Sequence, residues 1–371
     1  MRRSLLASMW CCERLPDLSP REWESLLAQA RRSRLAGRLA CLLVDRQWLH
    51  LAPPRAQTAL RNALREVERK HDEVVWEVDR IRAALAGVTS PVVLLKGAAY
   101  VMTGLPPARG RLFSDIDIMV SRAQLKATES ALFASGWIAQ KLDPYDERYY
   151  RDWMHELPPL QHVNRQSLLD VHHTITPPTS RFAVDARRLL ERLRPIAGHD
   201  GLFTLNPVDM VLHGAVHLMQ DGDLTGSLRD VMDFDDLVRA FDRDPSFWPD
   251  LVQRADELGL MSALVDVWTQ ARHRFGTPAP DDLHTARLLM QSRSPTRQLM
   301  ARLLNVALRP DHPDCDSWLT PMARQALYVR SHALRMPWFQ IAPHLIRKAW
   351  KRSRTRYGQV LRIRPKAQIE I

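Results

Sequence analysis

Between Pro91 and Val120 the chain carries two short apolar runs joined by glycine, proline and arginine, and few folds accommodate both. The first, Val92-Val93-Leu94-Leu95, is too short for a helix and too apolar for a surface, so it reads as a buried strand. It leads into Lys96-Gly97 and a short helical stretch, Ala98 to Thr103, which Gly104 and Pro106-Pro107 end. A basic loop with Arg109 and Arg111 then delivers the chain to Ser114-Asp115-Ile116-Asp117-Ile118-Met119-Val120. Side chains alternate across a strand, so Asp115 and Asp117 share one face while Ile116, Ile118 and Val120 take the other. Two carboxylates on one face suit Mg²⁺, a hard cation that takes one or two protein oxygens and fills its remaining positions with water and phosphate. The alternative for an Asp-x-Asp by itself is a solvated strand end or turn.

This arrangement resembles the core of the DNA polymerase beta-like nucleotidyltransferase superfamily. More closely, Leu94-Leu95-Lys96-Gly97, then Arg111, then Ser114 to Val120 is similar to an uncharacterised bacterial nucleotidyltransferase family in which Leu-Lys-Gly stands where the wider superfamily has Gly-Ser. The likeness is specific over residues 92 to 120 and looser over about 20 to 240. It implies an α+β fold: a polymerase beta-like core, a small mixed sheet with helices, flanked by helical domains. It also implies a Mg²⁺- (or Mn²⁺-) dependent enzyme that moves a nucleotidyl group from a nucleoside triphosphate, ATP among them, to an acceptor. That acceptor is a small molecule, a peptide or an RNA end. The serine contact to phosphate that Gly-Ser supplies is missing here.

A site of this kind needs a third carboxylate on a neighbouring strand, and Leu168-Leu169-Asp170-Val171-His172-His173 supplies the candidate. Alternation places Asp170 and His172 on one face and Leu169 and Val171 on the other. The resemblance agrees, since the family carries an Asp-x-His on this strand. The alternatives are an edge-strand acid without ligands and a packed, hydrogen-bonded histidine. On the resemblance, Asp115, Asp117 and Asp170 are the metal ligands and catalytic acids, with Asp170 helping to deprotonate the acceptor hydroxyl. Lys96, Gly97, Arg111 and Ser114 form the expected nucleotide-binding set. The two cations would meet phosphate oxygens, and the Gly97 amide would be open to close approach for want of a Cβ.

Further along, Asp209, His213 and His217 recur at helical spacing behind an Asn206-Pro207 cap, and Arg229 and Asp233 form an i, i+4 pair. In the resembled family this region is a helical cover over the core. There His217, Arg229 or Asp233 would face the nucleotide or acceptor, or else join two helices as a polar network. The segment from Lys141 to Asn164, with Tyr145, Tyr149, Tyr150, Trp153, His155, Glu156 and His162, either lines an acceptor pocket or makes a hairpin with surface tyrosines. Its histidines match no standard zinc spacing.

With 371 residues, 45% of them hydrophobic, the chain can bury a sizeable core in two or three packed units. The boundaries expected are an N-terminal helical region (1–87), the nucleotidyltransferase core (88–178), a C-terminal helical domain (179–330) and a basic amphipathic tail (331–371). Within the first region, Ser19-Pro20-Arg21-Glu22 opens a helix, and a long one runs from Ala56 to about Ala86. Val67, His71, Val74, Val75, Val78 and Ile81 make its apolar stripe, with its charges outward. Ser121 to Gln124 resembles a capping box for a helix that Gly136 ends.

No apolar run approaches the roughly 20 residues of a membrane span. Four cysteines (Cys11, Cys12, Cys41, Cys315) form no Cys-x-x-Cys pair. Both features point to a cytoplasmic protein. Residues 317–371 hold twelve Lys or Arg against one acid, Glu370, an excess equal to the net charge of +11 for the whole chain. Trp338, Phe339, Ile341, Leu345, Ile346 and Trp350 are interleaved with Arg347, Lys348, Lys351, Arg352, Arg354 and Arg356. Such a stretch binds nucleic acid, an anionic membrane or an acidic partner through residues 347–371, or packs its apolar side on the body. Two further readings compete with the enzyme: a catalytically weak nucleotide sensor or partner-binding module, and simple nucleic-acid or membrane-surface binding through the tail.

Overall fold

The structure, a computed structural model, describes residues 5–335 apart from residues 11, 16, 89–90, 141–146 and 291–294. Tyr145 and the tail from residue 336 onward lie outside the described residues. The fold is α+β. Helices α1 (Leu5–Met9), α2 (Pro20–Arg32), α3 (Ala36–Asp45) and α4 (Pro54–Ala84) precede a seven-stranded mixed sheet. Its strands are β1 (Val92–Leu95), β2 (Ile116–Met119), β3 (Trp137–Ala139), β4 (Leu160–His162), β5 (Leu168–His172), β6 (Arg194–Pro195) and β7 (Leu202–Thr204). They lie in the order β3-β4-β5-β2-β1-β7-β6.

β2 sits between β1, antiparallel to it, and β5, parallel to it. The strands that position the acids are therefore interior ones, and their apolar backs, Ile116, Ile118, Leu169 and Val171, are buried. The sheet also extends past residue 178, because β7 pairs parallel with β1. Two and three residues long, β6 and β7 give too little alternation to be read from sequence.

Helix α5 (Lys96–Thr103) starts on the residue after β1 with no loop between them, and Gly104 closes it in the left-handed conformation at φ +64°. Ser19 caps α2 in a full capping box with Glu22, as its sequence predicts. Beyond a 3₁₀ turn at Arg122–Gln124, α6 (Leu125–Ala134) runs to the turn at Gly136.

The stripe on α4 differs from expectation at two places. Val67, Val74, Val78 and Ile81 are buried, but Val75 is 43% exposed, and Glu77, expected outward, is 4% exposed. A partner explains the burial: Arg165 donates to both Glu77 oxygens at 2.6–3.1 Å, and Ser167 Oγ donates at 2.9 Å.

After the short α7 (Ala186–Leu190), the helical part comprises α8 (Pro207–Gln220), α9 (Leu228–Phe241), α10 (Phe247–Glu257), α11 (Met261–Phe275), α12 (Leu283–Met290), α13 (Pro295–Ala307) and α14 (Leu319–Arg335). Asn206 caps α8 by accepting from the Asp209 amide at 3.0 Å. The apolar face of α8, including Leu212, Val216 and Met219, is continuous with the sheet core. Leu228 and Met232 of α9 instead join the second core, formed by Trp23, Leu26, Leu39, Leu43 and Leu60 of the N-terminal helices. The N-terminal helices and the downstream helices thus share a core. Among the described residues no helix is long and apolar enough to cross a membrane.

Candidate active site

Register decides which acids meet. In the parallel β2–β5 pair, Asp117 stands opposite Asp170, so both side chains rise from the same face of the sheet. Asp115 precedes β2 by one residue; it is exposed and accepts from Ser114 Oγ at 2.8 Å. Asp117 is 8% exposed and is held at one oxygen only. Lys96 Nζ donates to Oδ1 at 3.3 Å and His172 Nε2 donates to the same Oδ1 at 3.0 Å.

The charge states follow from this crowding. Burial pushes the Asp117 carboxyl up, but Lys96 and His172 outweigh it and hold it well below the ordinary range. Asp170 accepts no hydrogen bond from a cation among the described residues, and the pull of His172 on it is the weaker influence. Burial, with Glu156 and Asp117 beside it, pushes it to about 8. Burial alone would lower Lys96, yet Asp117, Glu156, Asp115 and Asp170 raise it, so it stays an ammonium.

Lys96 itself has φ +42°, a left-handed value that costs a residue with a Cβ about 1–3 kcal/mol. The strain lets β1 turn directly into α5 and carries Lys96 over the acids. Gly97 has a packing task. A Cβ there would meet the Phe113 ring at 2.3 Å, so the missing side chain makes room for Phe113.

Arg111 is 6% exposed, lies over the rings of Tyr100 and Phe113 at 5.5 and 5.3 Å, and pairs with Asp233. Asp233 also binds Arg38, which reaches Asp236 and the Pro107 carbonyl. This corrects the expected Arg229–Asp233 pair: Arg229 binds its neighbour Asp230 at 2.9 Å, and Asp233 turns toward the N-terminal helices. Asp209 likewise leaves the histidine row functionally, since Arg254 takes both its oxygens at 2.8 and 3.1 Å. His217 remains at the site. Burial, then Lys96, lowers it to about 3, so it is a neutral imidazole there.

Lys96, Tyr100, Arg111, Ser114, Asp115 and Asp117 line one cavity of about 210 Å³, closed on the helical side by residues that include Arg34, His217, Arg229 and Asp230. Arg34, Asp221 and Asp230 were not foreseen. Their signal is tertiary, since they come from the turn after α2, the end of α8 and the first turn of α9.

The segment before β4 also departs from a surface hairpin. A π-helical turn, Tyr149–Trp153, buries Tyr149 at 7% exposure, and Glu156 then bridges antiparallel to His172. This places Glu156 Oε2 3.4 Å from His172 Nδ1, with the His155 ring 5.2 Å from that of His172. No periodic pattern marks Glu156, so the sequence names it only within a segment that could line an acceptor pocket and does not place it beside His172.

Sheet, acids and cavity bring carboxylate oxygens and basic side chains together in one place. Residues 19–276 match the model of the family described as Uncharacterised nucleotidyltransferase, and the chain belongs to that family. Membership implies nucleotidyl transfer as the reaction class and a nucleotide as the substrate. No curated protein and no solved structure matches the chain.

Proposed function

We propose that the protein is a Mg²⁺-dependent nucleotidyltransferase of polymerase beta-like type, which transfers a nucleotidyl group from a nucleoside triphosphate to an acceptor hydroxyl. The observation that carries this reading is the in-register pair Asp117–Asp170, with Asp115 two residues away and a cation-lined cavity alongside. The donor set fits a hard divalent cation. Three carboxylates gather there, and Asp117 is anchored through Oδ1 while its Oδ2 takes no hydrogen bond among the described residues. Asp115, Asp117 and Asp170 would hold the ion, which when bound neutralises triphosphate charge and acidifies the acceptor hydroxyl.

The protein's own groups do the remaining work. Lys96 and Arg111 line the cavity and would draw the triphosphate into it. Ser114 orients Asp115. Asp170, with a proton affinity matched to neutral pH, takes the acceptor proton on its carboxylate. His172 fixes Asp117 through Nε2.

Calorimetric titration of ATP, GTP, CTP and UTP with Mg²⁺ tests the reading without knowledge of the acceptor. Binding of at least one nucleotide that needs Mg²⁺ and disappears in the folded Asp115→Asn, Asp117→Asn variant is expected. Unchanged binding in that variant, or none to the wild type, would overturn it.

A further inference from the structure

The cluster His155, Glu156 and His172 is not needed to hold Mg²⁺, and its geometry asks for something else. His172 is 2% exposed, and Asp117 Oδ1 accepts from its Nε2 at 3.0 Å. A carboxylate cannot donate, so Nε2 bears the hydrogen, and Nδ1 is the atom left to face Glu156, where a metal would take the place of a proton. That Nδ1 is buried, makes no hydrogen bond and stands 3.4 Å from Glu156 Oε2, a second acceptor. His155 Nδ1 is also buried without a hydrogen-bond partner.

One donor atom from each residue lies within 4.8 Å of the other two. A proton between His172 and Glu156 would satisfy two of the three groups and leave His155 orphaned. A metal ion satisfies all three at once.

We infer that His155, Glu156 and His172 form a site for a borderline divalent cation of the Zn²⁺ class, separate from the three-aspartate site. Two imidazoles and one carboxylate suit Zn²⁺, whereas Mg²⁺ is held by oxygen. Bonds of about 2.0–2.2 Å require the side chains to draw in by up to about an ångström. The pattern is the familiar one of a metal-bound histidine whose other nitrogen donates to a carboxylate, here Asp117. The backbone brings the set together. Glu156 faces His172 across an isolated antiparallel bridge, and the His173 amide bonds the His155 carbonyl at 2.8 Å. The sequence spacing, one adjacent pair and a distant histidine, matches no standard zinc motif and hides the site.

The test is a Zn²⁺ titration of the full-length, metal-stripped protein by calorimetry, in parallel with Co²⁺ substitution followed by proton NMR. The inference predicts one Zn²⁺ per chain. Affinity should fall at least about 100-fold in a folded His155→Ala, Glu156→Gln variant, and should persist within about threefold in Asp115→Asn, Asp170→Asn. In the wild type, bound Co²⁺ should shift exchangeable imidazole N–H protons of two histidines, a readout that needs no variant. Absence of Zn²⁺ uptake, uptake indifferent to His155 and Glu156, uptake abolished in Asp115→Asn, Asp170→Asn, or Co²⁺ binding without imidazole shifts would each overturn it. Because the predicted Zn²⁺ uptake does not depend on Asp115 and Asp170, its failure and the failure of the nucleotidyltransferase reading are separable.

Discussion

In the helical part, Asp209 is fully enclosed and uses both oxygens: Arg254 donates to Oδ1 and Oδ2, and Asn206 Nδ2 donates to Oδ2 at 2.6 Å. On the sheet, Asp117 is nearly as buried, yet Lys96 and His172 both donate to Oδ1, and its register neighbour Asp170 has no basic partner among its described ion pairs. Burial is therefore a poor guide to which acids do chemistry. A carboxylate with both oxygens committed holds two helices together. One left half-committed beside another acid has capacity for a ligand. Asp233, clamped between Arg38 and Arg111, falls with Asp209 in its bonding, although it borders the cavity.

Breaking the closed pair should cost most. Arg254→Ala strands a buried carboxylate, and a loss of about 3–5 kcal/mol in urea unfolding is expected. Because Asp209 stands apart from the cavity, the folded fraction should keep its nucleotide affinity. Gly97→Ala probes the sheet side by driving a Cβ into Phe113. About 1–3 kcal/mol of overpacking is expected by thermal or urea melts.

The open acid has a pH signature. Asp170 sits at about 8 in the folded state against about 4 when unfolded. Between those values the folded chain keeps a proton that the unfolded chain has lost, so this acid lowers stability as pH rises. The steepest slope is about 1.4 kcal/mol per pH unit. Urea midpoints of Asp170→Asn, measured without added metal from pH 5 to 8, should fall less steeply than those of the wild type. Parallel slopes would remove Asp170 from the open class. Ser19→Ala, remote from both regions, is the control: loss of the α2 capping box should cost about 1 kcal/mol and leave nucleotide binding intact.

Short-range physics explains what the sequence discloses. Alternation around Asp117 and Asp170 predicts their common sheet face, and the strand–helix order predicts an α+β core. Register, however, is a long-range property, and no local pattern states that Asp117 and Asp170 are neighbours. The same limit hides the Arg111–Asp233 pair, which joins residues 122 apart in the chain, and Glu77, whose burial depends on Arg165. Gly97 shows a subtler limit. A glycine after a lysine resembles a phosphate-facing turn, but its space is taken by an aromatic ring from the next loop.

The most direct test of the contrast sets the two acids side by side. Asp117→Asn and Asp209→Asn, each shown to be folded, are titrated with the four nucleoside triphosphates in Mg²⁺ by calorimetry. Wild-type affinity in Asp209→Asn and no metal-dependent binding in Asp117→Asn is the predicted result. Equal binding by both variants would contradict the assignment of the sheet acids as the working site.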